Sequence, residues 1–174
     1  PNINVPINNN IPEIVSNKIK NIAIAPGAGN PIRQWKFDNY LQIAKKLRDK
    51  NYNVYFFLGP DEKPFLDICL NNKFICPEWE NGEIISTDIS FTMNLAKKMS
   101  CLLCNDGGTS WIFEFAGIHT FKIFGVTNER KFARPKFSTT IQVKDHGFET
   151  LQSFPVELYK MLLTKFLNKN FKTI

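Results

Sequence analysis

Apolar runs alternate along the chain with stretches in which apolar residues recur every three or four positions. "NIAIAP" over 21–26 is β-rich and is closed by Pro and Gly, so it predicts a strand. In 37–51, Tyr40, Ile43, Ala44 and Leu47 recur at helical spacing and Asp38 stands at the start, where it suits the helix dipole. "NVYFFLG" over 53–59 is continuously apolar, the pattern of a strand covered on both faces. A short helix is predicted over 61–72 and a short strand over 74–76. Phe91, Leu95 and Met99 mark one side of a helix over 89–100. "CLLCN" (101–105), "TFKIFG" (120–125) and "TTIQV" (139–143) predict three more strands. A helix ended by Gly117 fills 109–117, and Pro155 opens a terminal helix to about residue 169.

Strand and helix alternate throughout. This predicts the α/β class, a Rossmann-like parallel sheet with helices on both faces. Ligands of such sheets bind outside the carboxyl ends of the strands. The loops that matter are therefore "PGAGNPIRQW", "GPDEK", "NDGGTS" and "GVTNERKFARP", also the most polar and Gly-rich stretches of the chain.

The chain has 174 residues, enough for one domain with a substantial core. "PNINVPINNNIP" reads as linker, so residues 1–18 are expected to be an extended lead-in and 19–174 the folded domain. The chain does not begin with Met and is expected to be one piece of a longer protein. No apolar stretch approaches membrane-spanning length. The formal charge of +6 favours acidic partners such as nucleotides and phosphates. The lysines are dispersed, with no dense basic cluster interleaved with aromatics, so nucleic acid is not an expected partner. Cys101 and Cys104 form a C-x-x-C only formally: in a strand they face opposite ways, and no second ligand pair is spaced for zinc. With Cys69 and Cys76 they read as small core residues. His119 and His146 have no evident carboxylate or nucleophile partner and read as structural.

The loops carry the chemistry. In "PGAGNPIRQW", Gly27 and Gly29 allow close backbone approach and Arg33 supplies a cation. The stretch is neither a dinucleotide fingerprint nor a P-loop, and a plain turn with a surface Arg competes evenly with a phosphate site. In "NDGGTSWIFEFAG", Gly107 and Gly108 turn the chain from strand to helix, with Gly108 expected at positive φ or against a ligand. Thr109 or Ser110 can cap that helix, whose free N–H groups form an anion site. Asp106 beside it braces the loop or takes a sugar hydroxyl. Thr127, Arg130, Lys131 and Arg134 in the next loop suit a diphosphate or form a solvated basic loop. Asp61 and Glu62 either start a helix or take a ribose diol.

Taken in order, "IAIAPGAGNPIRQWKFDNYLQIAKKL", "VYFFLGPDE" and "CNDGGTSWIFEFAGIHTFKIFGVT" resemble glycosyltransferase family nine, the ADP-heptose:lipopolysaccharide heptosyltransferases. The likeness runs from about Ile22 to Pro135 and holds without gaps from Asn105 to Thr127. It implies one half of a GT-B enzyme, the carboxyl-terminal domain that binds the nucleotide-sugar donor. Arg33 takes the place of the family's basic diphosphate contact, and Glu62 that of the acid near the ribose. Asp106 and Gly108 match the D-x-G loop, and Thr127 the F-G-x-T threonine. Gly27, Gly107, Thr109 and Arg130 complete the expected nucleotide-sugar site. Trp111 stands where the family has His, His119 and Val126 where it has Pro.

The resemblance implies an inverting transfer of sugar from ADP-heptose or a similar donor in the synthesis of lipopolysaccharide core or a related glycan. The catalytic base and the contacts to a glycan or glycolipid acceptor belong to a preceding domain, so no residue here is expected to be catalytic. No metal or cofactor is expected, because Arg33 and the loop at Arg130 supply the cations and there is no Asp-x-Asp pair. The implied location is cytoplasmic, with peripheral association at the inner face of the inner membrane. The rival readings are a non-catalytic nucleotide-sugar binding module, another nucleotide-sugar enzyme such as an epimerase, and a Rossmann-like interaction domain.

Overall fold

The computed structural model describes residues 21–171; the lead-in expected over 1–18 lies outside the described residues. Five parallel strands form the sheet: β1 (Asn21–Ala25), β2 (Asn53–Phe56), β5 (Cys101–Asn105), β6 (His119–Phe124) and β7 (Ser138–Gln142). Their order is β2-β1-β5-β6-β7. The segment expected as a strand over 74–76 is reduced to one parallel bridge, Ile75 to Tyr55, outside β2.

The alternation of side chains along the strands divides the core in two. Ile22, Ile24, Val54, Phe56, Cys101 and Leu103 face one side. There α1 (Phe37–Asp49) lays down Tyr40, Ile43, Ala44 and Leu47, and α6 (Val156–Asn170) lays down Tyr159, Leu163 and Phe166. The short α2 (Leu66–Asn71) adds Leu66 and Cys69. Ala23, Ala25, Tyr55, Leu102 and Cys104 face the other side, against Phe91 and Leu95 of α3 (Ile89–Ala96) and Phe113 of α4 (Gly108–Phe115). Helices therefore cover both faces, as the continuous apolar strands require. The four cysteines are free and buried, and Cys101 and Cys104 sit on opposite faces.

Three local features differ from the sequence expectation. The stretch over 61–72 begins as a 3-10 turn, Pro60–Phe65, because Pro64 lacks the N–H a continuous α-helix would use. Helix α3 ends four residues early, although Met99 still reaches the core. A small hairpin, β3 (Trp79–Glu80) with β4 (Glu83–Ile84), was not expected. Asn81 and Gly82 both hold positive φ at its tip, the Asn-Gly signature of a two-residue turn. A last short helix, α5 (Glu129–Phe132), follows β6. Among the described residues no helix is long and apolar enough to cross a membrane.

Candidate functional site

The strand order reverses between β1 and β5, so the loops that leave their carboxyl ends part around a crevice. Buried groups fix both loops. The Asn105 carboxamide, at the last position of β5, accepts from the Trp35 N–H at 3.1 Å and the Tyr40 hydroxyl at 2.9 Å and donates to the Pro26 carbonyl. The Trp35 indole is buried, donates to the Phe154 carbonyl at 3.1 Å and meets Tyr40 edge-on. Gln34 donates to the Ala28 carbonyl at 2.7 Å. Between these anchors a 3-10 turn, Pro31–Arg33, is capped by the Asn30 side chain and carries Arg33 outward. The Arg33 guanidinium, half exposed, lies 4.0 Å from the nearly buried Asp106 carboxylate. A Cβ on Gly107 would stand 3.3 Å from the Gly27 carbonyl, so the two loops are in near contact.

Glu62 joins them from β2. Its Oε2 accepts from the Gly59 N–H at 2.9 Å, and its carboxylate lies directly against Gly27. A Cβ on Gly27 would be 2.9 Å from that oxygen and nearer still to the other. The closeness for which Gly27 is needed is thus that of Glu62. Burial raises the Glu62 pKa, the Gly59 N–H partly offsets this, and the Asp61 charge adds to it. Behind it lies Glu78, nearly buried, accepting from the Thr92 hydroxyl. Burial, with the Glu62 charge as a smaller cause, pushes Glu78 up to about 7 against the pull of Thr92. So Gly27, Arg33, Glu62, Asp106 and Gly107 come together at the switch point.

The turn into α4 departs from expectation. Gly107 is the N-cap in extended conformation; neither Thr109 nor Ser110 caps the helix, and the Ser110 hydroxyl donates to the Gly107 carbonyl at 2.7 Å. Gly108 is not among the residues with positive φ, and apart from its chain neighbours and its own helix backbone no atom lies within 4 Å of where its Cβ would stand. The extended Gly107 makes the turn, so Gly108 has no need of unusual geometry. Gly108 and the half-buried Thr109 present the first turn of α4 to open space.

Thr127 and Arg130 lie elsewhere. They line a cavity of about 290 Å³ with Val126, Asn128, Glu129, Gln142, Lys144 and Asp145, and no residue from the loops after β1, β2 or β5 lines it. Gln142 shapes it, donating to the Gly125 carbonyl at 2.7 Å and accepting from the Glu129 N–H at 3.2 Å. Lys131 is exposed outside this lining, and the Arg134 guanidinium is drawn over Phe137 and Phe115, so the expected trio of cations does not converge. His119 stacks on Phe166, shares a hydrogen bond with Thr139 at 2.9 Å, and has its pKa lowered by burial. His146 packs edge-on against Phe154. Neither pairs with a carboxylate or a nucleophile among the described contacts.

A charged pair is buried behind the site. Lys122 of β6 and Glu114 of α4 are both fully enclosed, with Nζ 2.9 Å from Oε1. The Thr120 hydroxyl donates to the same oxygen at 3.0 Å. Nζ is close to Oε1 but not aligned for a hydrogen bond, and Oε2 has no donor. Nζ lies instead 5.1 Å from the centre of the Trp111 ring and 5.8 Å from that of Phe124. Sequence reasoning missed this pair, Glu78 and the Asn105 clamp. The single Lys within the apolar run "TFKIF" and the single Glu within "WIFEF" were the available signal for the pair.

Comparison with known proteins follows the same lines. The sequence model of glycosyltransferase family 9 (heptosyltransferase) matches residues 8–151. No curated protein matches the chain. Among solved structures, E. coli ADP-heptose LPS heptosyltransferase II superposes with TM-score 0.67 at 18% identity, covering 88% of this chain and 48% of that one. A family 9 glycosyl transferase from Veillonella parvula gives TM-score 0.70 at 13% identity, covering 86% and 46%. E. coli heptosyltransferase WaaC, solved with ADP-2-deoxy-2-fluoro heptose, gives 0.68 at 9% identity, covering 84% and 43%. These likenesses establish the shared fold, and the chain spans less than half the length of each of the three.

Proposed function

The chain belongs to glycosyltransferase family 9, and from that premise we propose that it is the donor-binding half of an inverting nucleotide-sugar glycosyltransferase. The observation that carries this reading is the convergence of Glu62, Arg33 and Asp106 at the switch point, beside the open first turn of α4. Glu62 on the β2 side suits the ribose hydroxyls, as an acid at the end of that strand does in dinucleotide folds. Arg33 and the N–H groups of α4 suit the diphosphate. In the transfer step an acceptor hydroxyl attacks the anomeric carbon, the bond to the diphosphate oxygen breaks, and the leaving group's growing negative charge falls where these fixed dipoles and the cation lie.

ADP-heptose is the donor we propose, since two E. coli neighbours carry it or its analogue in their names. Synthesis of lipopolysaccharide core or a related glycan on the cytoplasmic side of the inner membrane follows as part of the same proposal. The acceptor and the base that activates it are assigned to a further domain. Thr127 and Arg130 belong to the rim of the site on this reading.

Titration calorimetry of the 174-residue chain with ADP, ADP-heptose and a UDP-sugar tests the reading. Binding of the two adenine ligands without turnover is expected. Arg33→Ala should weaken ADP binding about tenfold or more, the loss of one charge-assisted contact, with an unchanged melting curve. Equal affinity in parent and variant removes Arg33 from the diphosphate site, and sugar transfer by this chain alone overturns the half-enzyme reading.

A further inference from the structure

We infer that Trp111 is the platform on which the glycosyl ring of the donor stacks, and so the residue that separates a nucleotide sugar from the bare nucleotide. The inference rests on the donor-domain reading and goes beyond it.

The first support is order across the sheet. Glu62 stands beyond β2, Gly27 and Arg33 beyond β1, and Asp106 and Gly107 beyond β5. A nucleoside diphosphate laid ribose to β2 and phosphates to the switch point directs its next group towards β6. The side chain there is Trp111, in the first turn of α4 and set over Lys122 of β6. The second support is how the indole is held. It belongs to neither core cluster and stays partly exposed. Its ring lies 5.1 Å from the ammonium of the fully buried Lys122, whose charge has Glu114 at 2.9 Å but no aligned hydrogen-bond acceptor. A desolvated ammonium near an aromatic face is attracted to its quadrupole. The attraction fixes the plane of a ring that core packing does not. The third support is space, because the approach over Gly108, three residues before Trp111, is unobstructed.

A fixed, partly exposed indole beyond the diphosphate position suits a flat apolar surface. The C–H face of a closed pyranose, hexose or heptose, offers one. Its hydroxyls then point to the rim, leaving specificity among sugars to polar groups there.

The test compares parent, Trp111→Phe and Trp111→Ala in the 174-residue chain, titrated with ADP and with ADP-heptose. For the parent, ADP-heptose should bind more tightly than ADP, with a change in indole fluorescence that ADP alone does not produce. Trp111→Ala should leave ADP affinity within about twofold and weaken ADP-heptose about three- to tenfold, the range of aromatic stacking. Trp111→Phe should keep most of the affinity difference and lose the fluorescence change; it also serves if the alanine variant melts early. Equal losses for ADP and ADP-heptose, or no loss for either, overturn the inference and leave the donor-domain reading standing. A parent that binds neither ligand overturns that reading, and the inference with it.

Discussion

The Glu114–Lys122 pair can be broken from either side or removed whole, and breaking it should act in the opposite direction to removing it. Both side chains are fully enclosed, and the one carboxylate oxygen in contact takes the ammonium at 2.9 Å and the Thr120 hydroxyl at 3.0 Å. Lys122→Met leaves a carboxylate with a single neutral donor and no route to water. Glu114→Leu leaves an ammonium with only aromatic faces. Removing one partner of a buried pair costs about 3–5 kcal/mol. Against a total stability of roughly 5–15 kcal/mol, each single variant should lie close to unfolding. The double variant Glu114→Leu, Lys122→Met replaces both charges by apolar groups of similar size. Such replacements are often neutral or stabilising by about 1–4 kcal/mol, so the double variant should equal or exceed the parent. Urea unfolding followed by far-UV circular dichroism gives all four corners of the cycle, with equal denaturant slopes required for the comparison. If Lys122→Met costs under about 1 kcal/mol, the ammonium is not dry. If the double variant loses as much as the two singles together, the charges were not each other's support, and the account of Lys122 beneath Trp111 falls too.

Two further expectations concern the β2 side of the crevice. Burial holds the proton on Glu78 to about pH 7 in the folded state, against an ordinary carboxyl value of 4.5, so the folded state binds more protons between those values. Its contribution is fully present below about 4.5 and is lost as pH rises through about 7; a rise of that size corresponds to roughly 3 kcal/mol. Glu78→Gln should flatten this fall in a series of urea titrations from pH 5 to 8, and an unchanged slope would remove Glu78 as its source. Gly27→Ala should displace the Glu62 carboxylate and weaken ADP binding as Glu62→Ala does, whereas Gly29→Ala, with open space around it, should be silent. The double variant Gly27→Ala, Glu62→Ala should bind like Glu62→Ala alone, and a further loss in calorimetry would show that Gly27 meets the ligand itself.

What the sequence disclosed follows from the range of the forces involved. The alternation of continuous apolar runs with amphipathic periods is local, and it led directly to the five strands of the sheet, to α1, α3, α4 and α6, and to the division of Cys101 from Cys104, while α5 was missed and the strand expected over 74–76 is only a bridge. The loops that meet at the switch point were legible for the same reason, since each follows a strand. Asn105 was legible only as the end of a run, because its clamp engages Trp35 and Pro26, 70 and 79 residues away. The burial of Lys122 depends on Glu114 and two aromatic rings from separate elements, a balance no local window contains. The hairpin at Asn81-Gly82 was written in the sequence and lacked only the alternating flanks that usually announce it. Of the two alternatives expected for Gly108, positive φ is not met, because the extended Gly107 already accomplishes the turn.

The Asn105 clamp also sets an order of events on the ribosome. The first of the described strands to leave the tunnel, β1, lies inside the sheet between β2 and β5, and the loop behind it is fastened by a carboxamide made 79 residues later. At a synthesis rate of roughly 5–20 residues per second, the Pro26 carbonyl waits about 4–16 s for that partner. During this interval β2 and α1 can assemble on β1, but Trp35 and Tyr40 have no acceptor at their shared position. The loop after β1 is therefore among the last parts of the nascent domain to acquire a shape, and β1 keeps an unpaired edge until β5 arrives to cover it.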